Sequence, residues 1–216
     1  MIRAEALTLR YFDHGRIIHA CEAIDLTIRP GEFVGILGPS GSGKSSLLYL
    51  LSGLRAPTSG VVEFQGRRLE TLTPAERAAI RLRSFGFVFQ QPFLLNYLTA
   101  IENACLGQTQ PRYDHARRVL ERLGIGDLAH RWPHELSGGE SQRVCVARAL
   151  AKDPKVVFAD EPTASLDHAT GAAVVDLLVS HLGGGALVMA THDPSMLSRA
   201  TRIIRLADGR IVEPDS

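Results

Sequence analysis

Residues 33–45 read FVGILGPSGSGKS, and this stretch decides the fold. Five apolar residues, Phe33–Leu37, run directly into a turn rich in glycine and serine, in which Gly38, Gly43, Lys44 and Ser45 fill the pattern G-x-x-x-x-G-K-[ST]. The apolar run SSLLYLLSGL then continues as a helix. A strand, a loop and a helix in that order make a phosphate cradle: glycines let backbone N–H groups close around phosphate oxygens, and the helix N-terminus faces them. Gly38, Pro39, Ser40, Gly41, Ser42, Gly43 and Ser46 are therefore expected to wrap a nucleotide. Lys44 offsets charge on its β and γ oxygens, and Ser45 ligates Mg²⁺.

Three more short, nearly continuous apolar runs follow, FGFVF (85–89), KVVFAD (155–160) and ALVMAT (186–191). Such runs read as parallel strands buried on both faces. Ligands of open α/β sheets collect at the C-terminal ends of those strands. There the sequence places Asp160, the natural magnesium partner, then Glu161, expected to act as general base on the attacking water, and His192, within reach of a γ-phosphate oxygen.

The first thirty residues alternate instead. Leu7, Leu9 and Tyr11 fall on one face and Thr8 and Arg10 on the other, with further β-rich stretches at 16–20 and 23–28, the pattern of a half-exposed antiparallel sheet. From about 99 to 152 there is no strand pattern, and Ala116, Val119, Leu120 and Leu123 recur at helical spacing. The expected class is α/β: a P-loop NTPase core of RecA-like type with an N-terminal antiparallel β lobe and an inserted α-helical subdomain. The whole of 1–216 is read as one domain, with 1–90 and 153–216 forming lobe and core and about 91–152 the insertion. Residues 213–216 read as a polar tail.

Composition narrows the function classes. With 45% hydrophobic residues the chain is an ordinary globular one, and 24 Lys+Arg against 23 Asp+Glu leave a net charge of +1, so no global field attracts nucleic acid. Arg67, Arg68, Arg81, Arg83, Arg117, Arg118 and Arg122 lie scattered among acids and read as a solvated face. No apolar run reaches the roughly 18 residues that span a bilayer, so no direct membrane insertion is expected. Cys21, Cys105 and Cys145 match neither a disulfide framework nor a zinc knuckle. His130 and His134 have Pro133 between them and are not expected to form a metal pair.

LSGGE (136–140) distinguishes among P-loop families, and here the chain resembles the nucleotide-binding domains of ABC transporters. The resemblance runs in order along nearly the whole length. Tyr11 resembles the aromatic that stacks on adenine, with Phe12 as its neighbouring alternative; GPSGSGKS resembles Walker A and Gln90 the Q-loop glutamine. LSGGESQR resembles the signature, VVFADE Walker B, 164–167 the D-loop, and His192 the H-loop switch. It implies that Gln90 contacts Mg²⁺ or the attacking water, and that Ser137, Gly138, Gly139 and Glu140 bind the γ-phosphate held by a partner chain. Locally, Ser137 and Glu140 also make an S-x-x-E capping box ahead of a helix.

FGFVFQQPFLLNYLTAIENA and ADEPTASLD are most similar to the macrolide-efflux and lipoprotein-release group. The expected function is ATP binding and hydrolysis by a head-to-tail dimer that drives separate transmembrane permease subunits from the cytoplasmic face of the inner membrane. An amino-acid-type importer ATPase and a soluble non-transport ABC ATPase are the alternatives. Phe93, Leu94, Leu95, Tyr97 and Leu98 are more apolar than a free loop needs: they either pack under the helical lobe or line a groove for a permease helix.

Overall fold

A computed structural model describes residues 1–13, 16–181 and 183–212; the tail at 213–216 lies outside them. Strands β1 (Ile2–Asp13), β2 (Arg16–Ile28), β4 (Ser59–Phe64) and β5 (Arg67–Arg68) make an antiparallel sheet in the order β2-β1-β4-β5. Strands β3 (Phe33–Leu37), β6 (Phe85–Val88), β7 (Val156–Asp160), β8 (Ala186–Thr191), β9 (Arg202–Ala207) and β10 (Arg210–Val212) make the second sheet, ordered β10-β9-β3-β8-β7-β6. Its β9, β3, β8, β7 and β6 run parallel, and β10 closes the edge antiparallel.

The parallel strands are apolar on both faces because the sheet separates two cores, and successive residues alternate between them. Phe33, Val157, Ala159, Leu187 and Met189 face one core; Val34, Ile36, Val156, Phe158, Val188 and Ala190 face the other. The first core is completed by α3 (Ala100–Ala104), α4 (Tyr113–Arg122), α5 (Gly138–Leu150) and α6 (His168–Ser180). The second is completed by the antiparallel sheet and α1 (Lys44–Leu51). Ala116, Val119, Leu120 and Leu123 all point inward, as their spacing predicts, and between 89 and 155 the described residues contain no strand. Among the described residues no helix is long and apolar enough to cross a membrane.

Two local readings are corrected. The stretches 16–20 and 23–28 are one strand, β2, with a bulge at Ala23, where φ is +48°. Thr8, expected on the outer face with Arg10, is buried. A second bulge at Ala6 (φ +45°) breaks the alternation, and the Thr8 hydroxyl accepts the Ala23 N–H (3.0 Å) and donates to the Ala6 carbonyl (3.3 Å). Helix α2 (Pro74–Ser84) is an addition to the expected elements. The three cysteines are buried free thiols, and burial pushes that of Cys21 up to about 12.

Candidate active site

The phosphate cradle follows from backbone crowding. β2 and β9 pass directly beneath the turn between β3 and α1: a Cβ on Gly43 (φ +101°) would lie 2.0 Å from the Ala20 carbonyl oxygen, and one on Gly38 would lie 2.3 Å from that of Leu206. Only glycine fits either place. Helix α1 then begins with Gly43 as its N-cap, with no side-chain cap and no acidic residue in its first turn. Its first N–H groups thus face the cleft without a side-chain acceptor, which suits a phosphate. Lys44 Nζ donates to the carbonyls of Gly38 (2.8 Å) and Pro39 (2.9 Å) and lies 4.0 Å from Glu161.

Ser45 Oγ donates to Asp160 Oδ1 at 2.9 Å, and Tyr49, one turn along α1, places its hydroxyl 3.4 Å from Oδ2. Asp160 ends β7 and is buried; burial pushes its carboxyl above the usual range, the neighbouring Glu161 adds to this, and the Ser45 and Tyr49 hydrogen bonds and Lys44 oppose it. Hard hydroxyl and carboxylate oxygens side by side are the donor set that Mg²⁺ prefers. Tyr49 is an addition to the expected site residues, and its i,i+4 spacing from Ser45 is the sequence signal that marks it.

Glu161 follows with φ +46°, a left-handed conformation that is strained for a side-chain-bearing residue. Its N–H donates to the Ala190 carbonyl (2.9 Å), which ties it to β8. The carboxylate accepts from Thr191 Oγ1 (3.2 Å) and lies 3.0 Å from His192 Nδ1. Thr191, also unforeseen, fixes one oxygen of Glu161 while the exposed His192 engages the other.

A cleft of about 690 Å³ opens between the antiparallel sheet and these strand ends. It brings together Tyr11, Pro39, Ser40, Gly41, Gly43, Lys44, Ser45, Ser46, Gln90, Glu161 and His192, joined by Ile18, His19 and Ala20 of β2. Gly38 and Ser42 lie under the turn and Asp160 behind Ser45. Tyr11 lines the cleft and Phe12 does not; the Arg55 guanidinium sits 4.4 Å over the Tyr11 ring, a cation–π contact.

Ser137, Gly138, Gly139 and Glu140 do not join this cleft. They form the solvent-facing start of α5, where the Glu140 N–H donates to Ser137 Oγ (3.3 Å) and the Ser137 N–H to the Glu140 carboxylate (2.7 Å), the expected capping box. That backbone bond holds the Glu140 carboxyl below its usual range. A Cβ on Gly139 would lie 3.2 Å from the Leu166 side chain and 3.3 Å from the Ser165 carbonyl oxygen of the 164–167 segment. Along α5, the buried Gln142 donates to the Phe89 carbonyl (3.0 Å), and Arg148 donates to those of Pro92 (2.6 Å) and Phe93 (2.9 Å). The segment from Gln90 is therefore bound to the helix that Ser137 caps. Phe93 and Tyr97 are exposed, whereas Leu94 packs on the core. Buried Asn103 holds 95–98 in place: its Oδ1 accepts the Leu95 N–H (2.8 Å) and its Nδ2 faces the carbonyls of Leu95 (3.1 Å) and Leu98 (2.9 Å).

Residues 21–164 match the family model described as ABC transporter. The chain is 45% identical over 201 residues to an uncharacterized ABC transporter ATP-binding protein, MJ1508, of Methanocaldococcus jannaschii, covering 90% of both chains. It is 43% identical over 198 residues to the lipoprotein-releasing system ATP-binding protein LolD of Aquifex aeolicus, covering 88% of both. Against the macrolide export ATP-binding/permease protein MacB of Rhodospirillum rubrum the identity is 43% over 212 residues, 94% of this chain but 33% of that one, so the chain spans only about a third of that relative. A solved dimer of the ATP-binding cassette MJ0796 in a post-hydrolysis state with ADP and Pi superposes with a TM-score of 0.94 at 36% identity, covering 100% of this chain and 98% of that one. A cradle built on crowded glycines, a carboxylate pair at a buried strand end and this likeness across the whole chain lead to one conclusion: the chain belongs to the ABC transporter family, as an ATP-binding subunit that hydrolyses ATP.

Proposed function

We propose that two copies of this ATPase pair head to tail, each cleft being completed by Ser137, Gly138, Gly139 and Glu140 of the other copy. The observation that carries this reading is the separation of the two halves: the cradle and carboxylates share one cleft, while the capped start of α5 faces solvent outside it. The dimeric relative with ADP and Pi supports it.

In the cleft, Tyr11 stacks on the base, the 38–46 turn and Lys44 hold the phosphates, and Glu161 takes the proton of the attacking water. Thr191 and the strained backbone aim that carboxylate. His192, which faces Glu161 through Nδ1 at 3.0 Å, presents its other ring nitrogen, Nε2, to a γ-phosphate oxygen. Ser45 and Asp160, with Gln90, would hold Mg²⁺, which when bound offsets phosphate charge. The subunit works peripherally on the cytoplasmic membrane face and drives separate permease subunits of an export or lipoprotein-release type, in keeping with LolD and MacB among its relatives. The segment 91–98 supplies the contact.

Complementation tests the composite site. Ser137→Arg and Lys44→Ala chains should each lack hydrolysis, and mixing them should restore it, since one of the two sites then combines native Lys44 with native Ser137. Glu161→Gln should retain ATP and accumulate dimer while losing at least roughly 100-fold in turnover. Normal hydrolysis by Ser137→Arg as a monomer would refute the pairing.

A further inference from the structure

Away from the cleft, the described residues hold one group of three metal-ligating side chains: His115 on α4, Asp153 in the turn before β7, and His181 at the C-terminal cap of α6. We propose that they form a site for a divalent transition-metal cation of the zinc type, with the ion joining the helical insertion to the core.

The geometry carries the proposal. Asp153 Oδ1 lies 3.2 Å from His115 Nε2 and 3.4 Å from His181 Nε2, and the three ligand atoms are all within 4.8 Å of one another. Bonds of about 2.0–2.1 Å at the tetrahedral angle put adjacent ligand atoms about 3.3 Å apart, so these two separations are those of a tetrahedral edge. His115 Nε2 is buried and makes no directional hydrogen bond despite the nearby carboxylate, as suits a lone pair aimed at an ion. Two imidazoles and one carboxylate select zinc, cobalt or nickel over magnesium or calcium, and leave a fourth position for water.

Arg112 holds the other carboxylate oxygen, Oδ2, at 2.5 Å, which orients Asp153 and leaves Oδ1 for the ion. Arg122 opposes binding: its guanidinium lies 3.5 Å from His181 Nδ1, a position that must carry N–H when Nε2 binds metal. The ion therefore displaces Arg122 from that nitrogen, which leads to an unusual expectation: removing Arg122 tightens the site.

The full chain, stripped with EDTA, desalted and free of nucleotide, is titrated with CoCl₂ by visible absorption and then with ZnCl₂ in competition, with the melting temperature followed in parallel. One cobalt per chain with tetrahedral-type bands, displacement by one zinc and a higher melting temperature are expected. His115→Ala and His181→Ala should each weaken binding more than the roughly 10–100-fold typical of an outer-shell partner. Arg122→Ala should strengthen it, and His134→Ala should leave it unchanged. Asp153→Asn preserves the left-handed backbone at that position (φ +52°) and decides the matter if either histidine variant fails to fold. Absence of saturable cobalt binding up to about 1 mM, or affinity unchanged in both Asp153→Asn and Arg122→Ala, would overturn the proposal.

Discussion

Replacing Asn103 with alanine should destabilise the fold by about 3 kcal/mol and release residues 95–98 first. The magnitude follows from which partners have a second bond. The Leu95 carbonyl also accepts the Leu98 N–H (3.0 Å), and the Thr99 carbonyl, which Asn103 Nδ2 approaches at 3.1 Å, also accepts the Asn103 N–H (2.9 Å), so both stay satisfied. The Leu95 N–H and the Leu98 carbonyl, both partly buried, lose their partner, and each orphan costs about 1–3 kcal/mol. Urea denaturation gives the total; hydrogen exchange at the Leu95 amide reports where the loss falls, with protection there expected to collapse before that of β7 or β8. Basal ATP hydrolysis at a temperature where the variant is folded should change by less than about threefold, because Asn103 does not line the cleft. A loss below about 1 kcal/mol with Leu95 still protected would show that Asn103 does not hold this segment.

The remaining expectations concern charge and coupling. The capping-box carboxylates Glu76, Glu102 and Glu140 are held below their usual range by bonds from Thr73, Thr99 and Ser137, and that of Glu135 by the Trp132 backbone N–H. Their contribution to stability is complete above about pH 4.5 and fades as pH falls through the lowered values, so Glu102→Gln with Glu140→Gln, which keeps the caps, should flatten the acid limb of a stability–pH curve. Burial, aided by Arg148, lowers Lys152 from 10.5 to about 8. The folded state then binds fewer protons between these values and stability rises with pH across them; Lys152→Met should therefore stabilise the protein at pH 7 by at most about 3 kcal/mol, an advantage that shrinks by pH 10 in urea titrations. Tyr97→Glu should preserve basal hydrolysis and reduce transport with the cognate permease in reconstituted vesicles, and unchanged transport would exclude Tyr97 from the contact.

The parts of this molecule that announce themselves in sequence are those whose physics is local. The cradle is a run of adjacent residues, β7 and β8 are continuous apolar strings, and the Ser137–Glu140 cap is a three-residue relation. Helix α2 has no fully buried residue, so no apolar stripe betrays it; its sequence sign is the Thr73-Pro74-x-Glu76 start, read only with the cap in view. The bulges at Ala6 and Ala23 put alanine in left-handed backbone, which the residue type does not signal. Thr191, Gln142 and Asn103 act through contacts that exist only once β8, α5 and the 95–98 turn have come together, and Tyr49 reaches Asp160 only from the helix face of α1 that it shares with Ser45.

Helix α5 is about 20 Å of continuous backbone hydrogen bonding, from its 13 residues at about 1.5 Å each. Gln142 and Arg148 pin the 89–93 stretch to its side at two points, and Ser137 ends it. It behaves as a stiff lever. A push delivered at 92–93 would reach Ser137 through the Arg148 contacts as translation and tilt of one stiff helix. The reverse holds equally: whatever seizes the Ser137 end moves the 89–93 stretch by a displacement of the same order, and the slack in the linkage is set by three hydrogen bonds.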